Sequence, residues 1–361
     1  MQPLFIVAQR VSLLPALVVV SLLGCSATTD ESSLAGEENA IVAGSDTFEN
    51  AVVRRDCPDP GVTAVTEGDR TKYYMVCTGG RFAIRQSTDL VTWRTTGKFL
   101  LPSSGKASWA ANGERNWAPE IHAVGPGQFV AYFTAADARD RLAIGVAYAP
   151  GPLGPWTVDD APLVQHEIGV IDATFFADRD GQKYLYWKVD GNQRGERTPI
   201  LVQPLNDDGR DFRPGSRARE VLTNDPETWE GGVVEAPWVM ARDGRYYMFY
   251  AGNAYDGRYR TGVARADSPL GPFEKFGNPI LENNAAWVGP GHGSIVTLGD
   301  TNWFVHHAWS ADRAGDPIEE RGRWVLVDRV FWGEGWPWFE NDSSRIAAQP
   351  LPNAIFAGMA R

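Results

Sequence analysis

From about residue 51 onward the apolar residues of this chain come in short bursts bounded by polar turns, with almost no 3.6-residue periodicity, a pattern that predicts strands rather than helices. Five bursts are rich in aromatics: KYYMV around Tyr74, QFVAYF around Val130, KYLYW around Leu185, RYYMFY around Tyr247 and NWFVHH around Phe304. Each follows a turn-forming stretch, in order TEGDRT, GPG, DRDG, ARDG and LGDT, which signals a hairpin. A further strand comes after most of them, and in two repeats it ends in matching pieces, GPLGPW at 151–156 and SPLGPF at 268–273. The aromatic cores recur every 55 to 62 residues. Units of that size, made of short strands, predict an all-β fold, a five-bladed β-propeller of four-stranded blades. A β-sandwich also has short strands, but not five copies at a nearly constant period.

The N-terminus breaks this pattern. Arg10 precedes an apolar run, Val11 to Leu23, that is interrupted by Pro15 and too short for a membrane span, so residues 1–25 read as an export signal. Its ending, Leu22-Leu23-Gly24-Cys25, resembles a bacterial lipobox, which implies a lipid on Cys25; plain secretion is the alternative. Residues 26–50, rich in Ser, Thr, Gly, Glu and Asp, read as a flexible tether and leave 51–361 for the propeller. Export changes the reading of the cysteines, because Cys57 and Cys77 become an even pair in an oxidising compartment, either a disulfide or two buried thiols. The net charge of −11 has the wrong sign for a nucleic-acid partner. Contact with a membrane is expected only through the lipid anchor, and the chain reads as a monomer.

Each aromatic core is preceded, 10 to 15 residues earlier, by an ionisable residue: Asp59, Glu120, Asp172, Glu235 and His292. The first strand of a propeller blade is the innermost, so these five side chains are expected to converge at one mouth of the axial channel. Gathering acids there costs electrostatic energy, which is tolerated mainly where shifted pKa values are useful. With few histidines, no Ser-His-Asp candidate and no metal cluster, paired carboxylates suggest glycoside hydrolysis, in which one acid protonates the leaving oxygen and another activates water. The 14 tryptophans, Trp117 and Trp309 among those near blade heads, either face sugars or fill the core between blades. A propeller that only binds glycan, keeping its acids for hydrogen bonds, is the reading from a different class.

Pro58-Asp59-Pro60, Ile171-Asp172-Ala173-Thr174-Phe175-Phe176, Val234-Glu235-Ala236-Pro237, Gly289-Pro290-Gly291-His292-Gly293-Ser294-Ile295 and Gly335-Trp336-Pro337 together resemble glycoside hydrolase family 43, over roughly residues 50 to 345. That family includes arabinanases, α-L-arabinofuranosidases and β-xylosidases. The resemblance implies an inverting hydrolase with Asp59 as general base, Glu235 as general acid, and Asp172 as a third carboxylate that keeps Glu235 protonated and orients the sugar. Inverting pairs stand roughly 6.5–9.5 Å apart, leaving room for water. The resemblance also implies sugar contacts for Trp117, Arg323 and His292, the last beside a water or a structural calcium ion; no other cofactor is required. Glu120 falls where relatives often carry Asp and reads as structural. His306 and His307 are assigned no role, since alternation turns only one of them toward the core. The chain departs from the family pattern at Cys57, at Gly61 and at Ala173-Thr174. No segment remains after about residue 345 for a second domain, which favours an arabinan- or arabinofuranoside-cleaving enzyme over a β-D-xylosidase.

Overall fold

The computed structural model describes residues 47–340 and 349–350. The expected export signal, Cys25, most of the expected tether and the rest of the C-terminal stretch lie outside the described residues. Five antiparallel sheets follow one another along the chain. Blade one consists of Gly61–Glu67, Arg70–Val76, Ala83–Ser87 and Arg94–Phe99, and blade three of Val170–Ala177, Lys183–Val189, Ile200–Pro204 and Arg219–Leu222. Blade four consists of Val234–Arg242, Arg245–Gly252, Arg260–Ala266 and Glu274–Lys275, and blade five of Trp287–Leu298, Thr301–Ser310, Arg323–Gly333 and Trp336–Trp338. In blade two the outer position is shared by two short strands, Thr157–Val158 and Val164–Gln165, after Trp117–Gly125, Gln128–Ala136 and Leu142–Ala149. Every aromatic burst is the second strand of its blade. The first strands touch one another in sequence and the fifth touches the first, so the sheets close into the expected five-bladed β-propeller.

Period-two alternation explains how so many aromatics are buried at once. In blade four Met248 and Tyr250 pack toward blade three, against Tyr186 and Val202, while Tyr247 and Phe249 pack toward blade five, against Ile295 and Phe304. The same happens between every neighbouring pair of blades, giving one apolar cluster per junction. Both faces of a blade are therefore covered. That corrects the expectation for His306 and His307: they point to opposite faces and both are buried, at 0% and 1% exposure.

The ring is sealed by the first of the described residues. Val52 donates its N–H to the Val325 carbonyl (2.8 Å), Val325 returns one to Val53 (3.1 Å), and Cys57 donates to Arg323 (2.9 Å). The amide of Asn50 bonds the Val327 carbonyl (3.1 Å) and Asp328 Oδ1 (3.0 Å) while its oxygen accepts the Val327 N–H (2.9 Å). Residues 47–50, assigned to the tether from their composition, thus belong to the folded body: Thr47–Phe48 pair with Gln349–Pro350, and Phe48 and Asn50 are fully buried. One aromatic and one well-bonded amide outweigh the polar composition of that stretch.

Candidate active site

Every blade carries an irregularity at the same level, in its first strand or, in blade one, just before it. Asp59, Ala118, Asp172, Ala236 and His292 all have positive φ, from 41° to 56°. In blades two to five each sits where two inner residues oppose one residue of the second strand, a β-bulge that re-aims a side chain toward the axis. In blade one the Thr78 N–H bonds the Pro58 carbonyl and Gly61 pairs with Val76, which leaves Asp59 and Pro60 opposite Cys77. Five non-glycine residues in a costly backbone conformation at equivalent places mark a built ring. The ring corrects the expectation that all five ionisable residues are equivalent. Asp59, Asp172 and His292 occupy bulges, Glu235 lies one residue before its bulge, and Glu120 lies two residues beyond Ala118. There Glu120 is buried, bonded to His122 Nε2 (2.7 Å) and Thr174 Oγ1 (3.0 Å), away from the other acids.

Asp59 is held from blades one and five. Its Oδ1 faces Arg323 Nη1 at 3.1 Å and His292 Nδ1 at 3.2 Å, and its Oδ2 accepts the Thr78 hydroxyl at 2.6 Å. Burial alone would raise this carboxyl, but Arg323 and His292 hold it well below the usual carboxylate range. The Asp59 N–H donates to His307 Nδ1 at 3.0 Å, so that nitrogen carries no proton. Burial and the nearby Arg323 push His307 down to about 3. Burial would also lower His292, yet the carboxylates of Asp59 and Asp172 carry it up to about 9.

Asp172 and Glu235 meet from blades three and four. Asp172 Oδ2 accepts the Ala236 N–H at 3.0 Å, the residue after Glu235. Burial raises Asp172 to about 7; His292 opposes this and the negative charge of Glu235 adds to it. Glu235 goes the other way. Lys188 Nζ lies 2.7 Å from Oε2 and the Tyr259 hydroxyl donates to Oε1 at 2.9 Å, and together they outweigh burial and pull Glu235 below its ordinary value. This differs from the expected arrangement, in which Asp172 raises Glu235. The reason is Lys188, wholly buried between Glu235 and Asp190 Oδ1 (2.8 Å). Sequence reasoning passed over Lys188, although its parity with Tyr184 and Tyr186 turns it to the face of blade three that packs on blade four. Thr78, Tyr259 and His307 were missed as well: Thr78 and Tyr259 lie in connections just outside the strands and His307 within one, and nothing marks them until the ring closes.

The remaining candidates divide. Arg323, apart from its bond to Asp59, lies over Trp309 and Tyr255, with its guanidinium 5.8 and 5.6 Å from their ring centres. Trp117 is half-buried against Ala136, Leu142 and Ile171, next to Asp172, at the place in blade two equivalent to Glu235 in blade four. Trp187 and Trp287 are core. The surroundings of His292 do not fit a calcium ion, which takes six to eight oxygens. Among the described residues no three acidic, histidine or cysteine side chains are grouped there to supply them.

A buried carboxylate held ionised, a pair of carboxylates with opposite pKa shifts and an aromatic-flanked arginine within a propeller form a site suited to glycosidic bonds. The family model of Glycosyl hydrolases family 43 matches residues 48–337. The chain is 30% identical over 263 residues to Beta-D-galactofuranosidase xynD of Aspergillus niger, covering 69% of this chain and 70% of that one. It is 28% identical over 295 residues to an extracellular exo-alpha-(1->5)-L-arabinofuranosidase of Streptomyces chartreusis, covering 75% of this chain and 85% of that one. The solved structure of a thermostable family-43 glycoside hydrolase superposes with a TM-score of 0.70 at 29% identity, over 82% of this chain and 96% of that one. The motifs, the ring of bulges and these likenesses agree, and the chain belongs to glycosyl hydrolases family 43 and is a glycosidase.

Proposed function

We propose that this glycosidase cleaves α-L-arabinofuranosyl bonds of plant-type polysaccharide or oligosaccharide with inversion, Asp59 serving as base and Glu235, paired with Asp172, as acid. The observation that carries this reading is the separation of proton preferences: Asp59 stays ionised while the buried Asp172–Glu235 pair tends to keep one proton. Asp59 takes a proton from the attacking water, and Arg323 and His292 keep the carboxylate oriented toward it. The proton of the pair goes to the departing oxygen. In the free enzyme Lys188 holds that proton off Glu235, so donation requires it to pass from Asp172 to Glu235 once the leaving oxygen competes for Lys188 and Tyr259. The furanosidase names of both relatives support a five-membered sugar ring, and the word extracellular in one supports residues 1–25 as an export signal. Lipid attachment at Cys25 is the finer proposal.

The test uses two leaving groups on each of an α-L-arabinofuranoside and a β-D-xyloside. Glu235→Gln is expected to lose several orders of magnitude with a poor, alkyl-like leaving group and much less with a dinitrophenyl one, which needs little protonation; Asp59→Asn loses activity with both. Proton NMR of the first product shows inversion. Retention of configuration would overturn the roles, turnover of the xyloside alone would overturn the sugar, and binding of arabinan without turnover of any substrate would favour a glycan-binding propeller.

A further inference from the structure

Cys57 and Cys77 form a disulfide, with their Cα atoms 5.2 Å apart. Each is followed closely by a residue of the site: Cys57 precedes Pro58-Asp59, and Cys77 precedes Thr78. Three links therefore join the same two short segments. They are the disulfide itself, the Thr78 N–H to the Pro58 carbonyl at 2.9 Å, and the Thr78 hydroxyl to Asp59 Oδ2 at 2.6 Å. The hydroxyl has no choice of direction. It accepts the N–H of Ala118, the bulge residue of blade two, at 2.7 Å, and a threonine hydroxyl has one proton, which is left for Asp59. Without this link no donor among the described residues is fixed on Oδ2, because Arg323 and His292 face Oδ1.

We propose that Thr78 is a positioning residue for Asp59, setting the plane of its carboxylate, and that the Cys57–Cys77 disulfide is the fixture that keeps Thr78 in reach. The geometry joins three places: the entry to blade one, the connection just past its second strand and the bulge of blade two. A small rotation of Asp59 about its side-chain bonds would leave the charge in place and turn its oxygen away from the line of attack. Misplacements of about 1 Å are enough to cost on the order of 10²-fold in rate.

The proposal rests on Asp59 being the base, so Asp59→Asn is measured alongside the other variants of the full chain. Thr78→Val is expected to lower kcat roughly 10- to 100-fold with KM within about twofold, since Thr78 acts on the base and not on the sugar. Thr78→Ser, which keeps the hydroxyl, restores most of kcat. Thr78→Ala gives the same comparison if the valine variant does not fold. The Cys57→Ser/Cys77→Ser pair lowers kcat by a smaller factor, and adding it to Thr78→Val lowers kcat no further, because both act through one contact. Parental kcat in Thr78→Val beside an inactive Asp59→Asn would overturn the positioning role alone. An active Asp59→Asn would overturn that role together with the assignment of the base. Equal loss in the Ser and Val variants would make Thr78 a packing residue and overturn the proposal too.

Discussion

At the scale of single residues the site runs on charges that oppose one another, and two of them set its pH behaviour. His292 titrates near 9 when folded against an ordinary value of 6.5, so its stabilising contribution is full below about pH 6.5 and disappears as pH rises through about 9. His307, held to about 3, works in the reverse sense: below about pH 6.5 the unfolded chain takes up a proton that the folded one refuses, and stability falls as pH drops toward 3. Chemical denaturation of the parent protein is expected to show a loss between pH 6.5 and 9 of up to roughly 3 kcal/mol that His292→Gln flattens. An unchanged slope in that variant would show that His292 is not the group responsible. With Glu235 as the proposed acid, Lys188 is the group expected to govern the acid side of the chemistry. Removing its charge in Lys188→Met takes away the partner that favours ionised Glu235, so the pair gives up its proton later and the basic limb of the kcat/KM profile moves to higher pH. A basic limb that stays in place would show that Lys188 does not set the acid.

At the scale of elements the repeat was legible because aromatic second strands follow polar turns at an almost constant interval. The depth of each first-strand residue was not. A bulge adds a residue to one strand without changing the composition around it, so counting back from the aromatic core put Glu120 level with Asp59, when it lies two residues beyond the bulge. Asp59, Asp172 and Glu235 could be named because flanking proline and small residues surround them; Lys188 and Thr78 could not, because their roles depend on which blade lies across the junction. Gly61, one of the departures from the family pattern, now has a reason. A Cβ placed there would stand 2.1 Å from the Pro119 carbonyl of blade two, because the first two inner strands approach that closely. Gly61→Ala is expected to lower stability by about 1–3 kcal/mol, read as a lower denaturant midpoint at unchanged m-value. A neutral outcome would mean that the two blades can separate at no cost.

At the scale of the whole molecule the N-terminal seal was the part hidden from sequence reading, since residues 47–53 are few and their partners lie some 270 positions away. Asn50→Ala strips the Val327 backbone and Asp328 of a buried partner. A loss of roughly 2–4 kcal/mol is expected, measured by thermal or urea unfolding. The seal has a consequence for how the enzyme fails. The segment that shuts the ring runs on, within six residues of Val53, into Asp59, the proposed base, so fraying at the junction of blades five and one is expected to disturb its aim before any sheet has melted. Just below the unfolding midpoint, turnover should vanish reversibly while the β-sheet circular dichroism is intact. Catalysis in this molecule acts as a fuse: it breaks first, at the clasp, and its loss reports an opening that the bulk of the fold has yet to feel.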